Sequence, residues 1–308
     1  MTEINVVWHE GANRPDNRCW LGVTKLLNDA FDKCPGYTFT HRSTWAELPP
    51  GQTGAVVVYH GDHEYTKIEE IQRELATLKW ALIIVIGDES ALFSCGRLVS
   101  LNRKVWFQIP MPGARHSYAN RNLICGYPPD TPQHLAALNV KSVDRPLNWF
   151  FSGQITHSRR VACAEQLRCM PNGRLIENVG FWQGLPRDEY YAAMASAKII
   201  PCPSGPTTPD SFRMAEALEA GCLPIVDSTC PRAGYPEGFW KNIFGYVPPI
   251  PFIEDWKDLP AVMEKALAGW PENRNLAYRW WQAYKAQPAL WLKTDLDYLR
   301  GAFDVARG

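Results

Sequence analysis

Ala55–Tyr59 (AVVVY) and Ala81–Ile86 (ALIIVI) are apolar at every position. A strand with one wet face alternates polar and apolar residues. A run without a polar position needs cover on both faces, which a parallel sheet flanked by helices supplies. The neighbouring stretches have helical spacing instead. Trp20–Asp32 carries Leu21, Val23, Leu26, Leu27, Ala30 and Phe31, and Tyr65–Leu78 puts Ile68, Ile71 and Leu75 on one face. With Ile4–Trp8, Tyr37–His41 and Val105–Ile109 as further strands, this alternation predicts a Rossmann-like α/β unit.

Tyr127–Pro132 (YPPDTP) can continue neither a helix nor a central strand. After it the rhythm restarts. Strands are expected at Leu147–Ser152, Leu175–Asn178, Ala197–Pro201, Leu223–Val226 and Phe244–Val247. Helices are expected at Arg159–Cys169, Arg187–Ser196, Ser211–Ala220 and Leu259–Leu267, with a last helical stretch over 272–300 broken near Pro288. The expected domains are 1–145, a second Rossmann-like unit over 146–271, and C-terminal helices over 272–308. Ligand crevices in such units open at the carboxyl ends of the strands.

Lys and Arg number 32 and so do Asp and Glu, which excludes a wholesale nucleic-acid-coating protein or an acidic solvating chain. The nine Cys contain no Cys-x-x-Cys pair and read as reduced thiols rather than a disulfide framework or zinc site. The opening residues lack the apolar core of a signal peptide, and no apolar run is long enough to span a bilayer. A soluble, cytoplasmic protein is expected. The 13 Trp read first as core volume and second as ligand-lining rings.

Pro201–Val226 (PCPSGPTTPDSFRMAEALEAGCLPIV) is the most informative window. A strand ends in a Pro/Ser/Gly loop whose Gly205 permits close backbone approach to a ligand. Ser211 can cap the next helix, whose free N–H groups suit a phosphate. Arg213 in the first turn opposes the helix dipole unless an anion binds there, and Glu216 follows on the same face. The residues alone leave two readings: a nucleotide site, or an Arg213–Glu216 surface pair.

Three ordered segments together resemble the exostosin-type glycosyltransferases. They are Phe150–Gln154 (FFSGQ) followed by Arg159 and Arg160, Tyr191–Gly205, and Ser211–Val226 with its Ser-x-Arg-x-x-Glu-Ala-x-x-x-Gly-Cys-x-Pro spacing. The resemblance covers about residues 147–270 and leaves the N-terminal half unmatched. It implies the GT-B architecture: two Rossmann-like domains facing a central cleft, with a C-terminal helix crossing back to the first. It also implies a sugar transfer from a nucleotide-sugar co-substrate, with uridine diphosphate the expected carrier. Glu216 would then bind the donor ribose and Arg213 the diphosphate. Gly153 would be the close-approach glycine, Arg159 or Arg160 a second positive charge, and Ser211 a phosphate ligand or a cap alone. The membrane anchor common in animal exostosins has no counterpart in the opening residues, so a Golgi setting is not expected.

No metal or other cofactor is implied, since the Asp-x-Asp at Asp295 and Asp297 lies in the C-terminal helical stretch and reads as solvated surface. Arginines and helix N-termini would stabilise the leaving nucleotide. An inverting transfer needs a base. His60-Gly-Asp-His63 follows an all-apolar strand, so Asp62 is the first candidate and His60 and His63 the rivals; Glu10, Asp88 and Glu89 are the other strand-end carboxylates. Residues 90–129 contain no Asp or Glu but hold Arg97, Arg103, Lys104, Arg115, His116 and Arg121. With Arg14 and Arg18 they predict a basic acceptor side. The matching acceptors are an acidic glycan, a phosphate-linked lipid carrier, or DNA with a hydroxylated base. A nucleotide-sugar epimerase and a non-catalytic sugar-binding module remain the alternatives on this architecture.

Overall fold

The computed structural model describes residues 1–9, 21–87, 92–93, 97–108, 120–180, 183–231 and 238–305, with the backbone alone at 21–24, 63, 108, 120 and 302–305. Contacts divide the chain into two compact units. One comprises Met1–Ile124, Asn242–Gly245 and Tyr284–Gly308, the other Cys125–Lys241 and Tyr246–Ala283.

The first unit holds β1 (Thr2–Trp8), α1 (Leu21–Asp32), β2 (Tyr37–Arg42), β3 (Gly54–His60), α2 (Gly61–Glu64), α3 (Ile68–Ala76), β4 (Trp80–Ile86), β5 (Arg103–Gln108) and β6 (Asn120–Leu123). Its six strands pair in parallel in the order β2-β1-β3-β4-β5-β6. Every residue of β3 and β4 is buried, as their unbroken apolar sequences require. Ile68, Ile71 and Leu75 of α3 cover one face of the sheet, each full burial contributing about 1.5–3 kcal/mol.

The second unit begins with α4 (Thr131–Leu135) and β7 (Leu147–Gln154), followed by α5 (Ser158–Arg168), β8 (Gly173–Asn178), α6 (Arg187–Ala195) and β9 (Ala197–Cys202). Next come α7 (Phe212–Glu219), β10 (Leu223–Asp227), α8 (Phe239–Phe244), β11 (Phe252–Ile253), α9 (Leu259–Ala268) and α10 (Glu272–Val305). The five strands run parallel in the order β11-β10-β9-β7-β8. Both sheets are therefore doubly wound, and the α/β class expected from the alternation is what the chain adopts.

Two local expectations fail. Phe244–Val247 is no strand: Phe239–Phe244 is helical, and Gly245 at φ +77° ends the helix in the left-handed conformation that favours glycine. The strand next to β10 is instead β11. The final stretch does not break at Pro288, which lies inside one continuous helix. Trp281, Tyr284 and Leu292 are buried on either side of it, and packing there outweighs the one backbone bond proline cannot make. Leu292, Leu296 and Leu299 share a core with Leu27 and Phe31 of α1 and with Val6, Val56, Leu82 and Trp106 of the first sheet, so the last helix does return to the first unit. The Trp excess is largely core volume, with Trp106, Trp256 and Trp281 fully buried. Two others lie opposite glycine in the strand register, Trp80 against Gly54 and Trp149 against Gly173, where a Cβ would collide with the indole. No helix among the described residues is long and apolar enough to cross a membrane.

Candidate functional site

The strand order of the second sheet reverses between β7 and β9, and a crevice opens at the carboxyl ends of such strands. There β7 ends in Gly153 and Gln154, and β9 runs into the loop 203–211 that leads to α7. Arg213, the second residue of α7, reaches β7. Its Nη2 donates to the Ser152 carbonyl at 2.7 Å, and its guanidinium lies 4.5 Å from the centroid of the Phe151 ring. Gly153 admits that guanidinium, since a Cβ there would collide with Nη2. Arg160 of α5 donates to the Ser204 carbonyl at 3.2 Å and the Gln154 carbonyl at 3.3 Å.

The described partners of both arginines are thus carbonyls and an aromatic face, with no carboxylate among them. Burial, and then the charge of Arg213, pulls Arg160 down to about 10. Around the same strand ends Ser204 Oγ, Ser211 Oγ, His157 Nδ1, Arg213 Nε and Asp210 Oδ1 are buried without a hydrogen-bond partner. Folded proteins seldom leave so many buried polar atoms unsatisfied in one place. Ser211 occupies the N-cap position of α7, but its side chain makes no capping bond. Gly205 lies where a Cβ would be 3.4 Å from the Asp210 and Thr208 carbonyls, so the loop folds closely on itself there. Two like charges, helix N–H groups and two serine hydroxyls gathered in one place have the chemistry to hold an anion.

Arg159 does not contribute to it. Its Nε donates to Asp227 at 2.9 Å and its Nη2 to the other oxygen of the same carboxylate. Asp227 also accepts from the Ser204 N–H at 3.2 Å and the Trp256 indole at 2.9 Å. That completes a buried hub that consumes the charge of Arg159.

Glu216 differs more from expectation. It is no surface group and does not pair with Arg213. It is 7% exposed, and its two oxygens accept from Tyr190 and Tyr191, each at 2.9 Å. Truncating it leaves the Tyr190 hydroxyl without its described partner. Glu216→Ala is therefore expected to lower global stability by about 1–3 kcal/mol in urea unfolding, whatever it does to ligand binding.

Asp210 precedes the N-cap of α7. Its carboxyl accepts from the backbone N–H of Cys125 and of Ser211. Burial raises it from 3.8 to about 7, because these bonds offset the desolvation only in part. Between those values the folded protein binds more protons than the unfolded chain, so this group makes stability fall as pH rises from about 4 to 7. Asp210→Asn should remove that slope. Urea midpoints of mutant and parent that differ equally at pH 5 and pH 8 would refute it.

In the first unit the strand reversal lies between β1 and β3. His9 follows β1, and its ring is held by Glu64, with Glu74 at 3.6 Å. Burial lowers the imidazole, but the bonds to Glu64 and Glu74 outweigh it and hold His9 up to about 9, so it is a cation at neutral pH. His60 is buried, and its backbone N–H donates to Glu64 at 2.6 Å. Asp62 is half-buried, its N–H on the Gly87 carbonyl at 3.1 Å. The side chain of His63, and Glu10, Arg14, Arg18, Asp88, Glu89, Arg115 and His116 entirely, lie outside the described residues.

The basic acceptor side needs correction at Lys104 and Arg121, and the solvated Asp-x-Asp needs correction with it. Asp295, 1% exposed, accepts from Lys104 at 2.6 Å, Trp106 at 2.8 Å and Arg121 at 2.8 and 3.1 Å. Lys104 is itself 3% exposed. The acids missing from 90–129 are supplied by a distant helix. Asp297 bonds Lys293 and the Tyr37 hydroxyl. Arg103 is half-buried, with its Nε unpartnered.

Residues 183–292 match the model of the family described as the RXYLT1 C-terminal domain. The human protein "Ribitol-5-phosphate xylosyltransferase 1" is 29% identical over 164 residues, which is 47% of this chain and 36% of that relative. The chain thus spans about a third of the relative's length. Among solved structures, the kitacinnamycin glycotransferase aligns at 11% identity and TM-score 0.45 over 95% of this chain and 98% of that one. The Anabaena protein Alr3699/HepE in complex with UDP aligns at 10% identity and TM-score 0.44 over 98% and 100%. The family model and the human relative carry a relation to a glycosyltransferase, under a family name other than exostosin. The family match contains the Tyr191–Gly205 and Ser211–Val226 segments but not Phe150–Gln154.

Asp210, Asp227, Ser204 and His157 escape sequence reasoning. Asp227 ends an apolar strand, a position that could have marked it. Nothing in the spacing around the other three distinguishes them from loop residues.

Proposed function

We propose that this chain is a nucleotide-sugar-dependent glycosyltransferase of GT-B type, related to the exostosin and RXYLT1 groups. Its donor site is the crevice at the carboxyl ends of β7 and β9. One observation carries the reading: Arg160 and Arg213 lie half-buried near each other, and their described partners are carbonyls and an aromatic ring rather than a carboxylate. Two guanidiniums in that state suit a diphosphate, which accepts from both and from the α7 N-terminus. Ser204 and Ser211 add hydroxyls. As the sugar leaves, charge builds on the diphosphate, and the arginines stabilise it without a metal. The Asp-x-Asp is committed to Lys104, Arg121, Trp106, Lys293 and Tyr37, which supports that metal-free reading. Asp62 is the proposed base, because His9 is already protonated and His60 is buried.

The human relative's name pairs xylosyl transfer with a polyol phosphate. We take a uridine-diphosphate pentose as the donor and a phosphate-bearing acceptor hydroxyl as the target. The test is a nucleotide-sugar panel read by thermal unfolding, since a ligand at 100 times its Kd adds about 2.7 kcal/mol. Stabilisation by one UDP-sugar, followed by transfer to a polyol-phosphate acceptor, is expected. Release of an isomerised sugar without acceptor would make the protein an epimerase. Binding without turnover on any acceptor would make it a binding module.

A further inference from the structure

Asp210, one residue before the N-cap of α7, carries an unpartnered carboxyl oxygen beside the donor crevice. It is 4% exposed, Oδ2 is occupied by the Cys125 N–H, and Oδ1 has no partner. The groups that set its charge are burial and two backbone N–H groups, with no cation among them. When ionised, an acceptor oxygen so placed repels phosphate oxygens and takes a hydroxyl or an N–H. It closes the same loop, 203–211, that carries Ser204 and Gly205 and delivers Ser211 to the head of α7. A group that binds hydroxyls beside one that binds phosphate is what a sugar joined to a diphosphate requires.

We propose that Asp210 Oδ1 accepts a hydrogen bond from a hydroxyl of the bound nucleotide sugar, and so decides which donors this site takes. The inference rests on the donor-site reading above. A site built to bond a hydroxyl discriminates strongly against analogues that lack it, because its buried acceptor is then left unpaired.

Asp210→Asn separates this role from a structural one. The amide oxygen can still accept from the Cys125 N–H, so the loop keeps that anchor. The amide nitrogen replaces Oδ1 and can only donate. Binding of inorganic pyrophosphate, UDP and UDP-xylose to both proteins is measured by calorimetry at pH 8.5, where the carboxyl is ionised, with thermal unfolding confirming the fold. UDP-xylose affinity is expected to fall about tenfold or more while pyrophosphate affinity stays within about twofold, the scale of one bond to a charged acceptor. A loss already seen with UDP assigns the hydroxyl to the ribose, and a loss seen only with UDP-xylose assigns it to the transferred sugar. Equal losses for all three probes overturn the proposal and make Asp210 a shaping residue of the phosphate loop. Unchanged UDP-xylose binding overturns it as well. A parent protein that binds none of the three overturns the donor-site reading, and this proposal falls with it.

Discussion

Asp295→Asn is expected to cost about 3–5 kcal/mol of stability, the range for breaking a buried ion pair from one side. The amide has nearly the shape of the carboxylate and can still accept the Trp106 indole. It cannot balance Lys104 and Arg121, which both donate to Asp295 and are both largely out of water. Burial pushes this carboxyl up, but the hydrogen bonds from Arg121 and Lys104 outweigh it and leave it below the ordinary range. A carboxyl lowered on folding contributes stability that is present above its unfolded value of 3.8 and is lost as pH falls through its folded value. The mutant's deficit should therefore be full at neutral pH and shrink in strong acid. Urea unfolding at pH 7 and pH 3 measures it. A deficit below about 1 kcal/mol at pH 7 would mean that the two cations are solvated despite their burial. Exchanging Asp295 for Leu together with Lys104 and Arg121 for Met should be milder than the single change, because it leaves no charge behind.

That network shows where sequence reasoning stops. The acid-free run of 90–129 is a real property of the chain, but its meaning depends on Asp295, which is 191 positions from Lys104. Local windows see a basic face where folding sets two of its cations on one buried carboxylate. The central strands were legible for the opposite reason: β3 and β4 are buried on both faces, so every position carries the signal. Edge strands carry less of it. β6 reads Asn-Arg-Asn-Leu and β11 is two residues long, so neither stands out from loop. At the candidate site, Arg213 and Ser211 could be read from their place at the head of a helix after a Pro/Gly loop. Glu216 could not, because whether a helical carboxylate faces water or two tyrosines depends on α6, which the i+3 spacing does not contain. The Arg159–Arg160 pair is likewise ambiguous in sequence. Only the fold sends Arg159 to Asp227 and leaves Arg160 at the crevice.

Arg160→Met is expected to change affinity and stability in opposite directions. A structural arginine loses both when removed. Arg160 makes two long hydrogen bonds to carbonyls, at 3.2 and 3.3 Å, while burial and the charge of Arg213 act against its own charge. Replacing a half-buried charge that has no counter-ion among the described residues by an apolar side chain of similar length is neutral or stabilising. The ligand-free mutant should therefore unfold at the parent's urea midpoint or above it. Diphosphate binding should weaken by about 1.5–3 kcal/mol, the contribution of a hydrogen bond to a charged group. A guanidinium also offers a planar fork that a lysine cannot reproduce, so Arg160→Lys should recover little of the loss although it restores the charge. Calorimetric titration with UDP gives the affinity and urea unfolding the stability, in the same buffer. A mutant that is less stable and still binds UDP normally would place Arg160 among the structural residues with Arg159 and would leave Arg213 as the one diphosphate arginine. A mutant that is more stable and blind to UDP is the signature of a site whose strain the fold tolerates for its ligand.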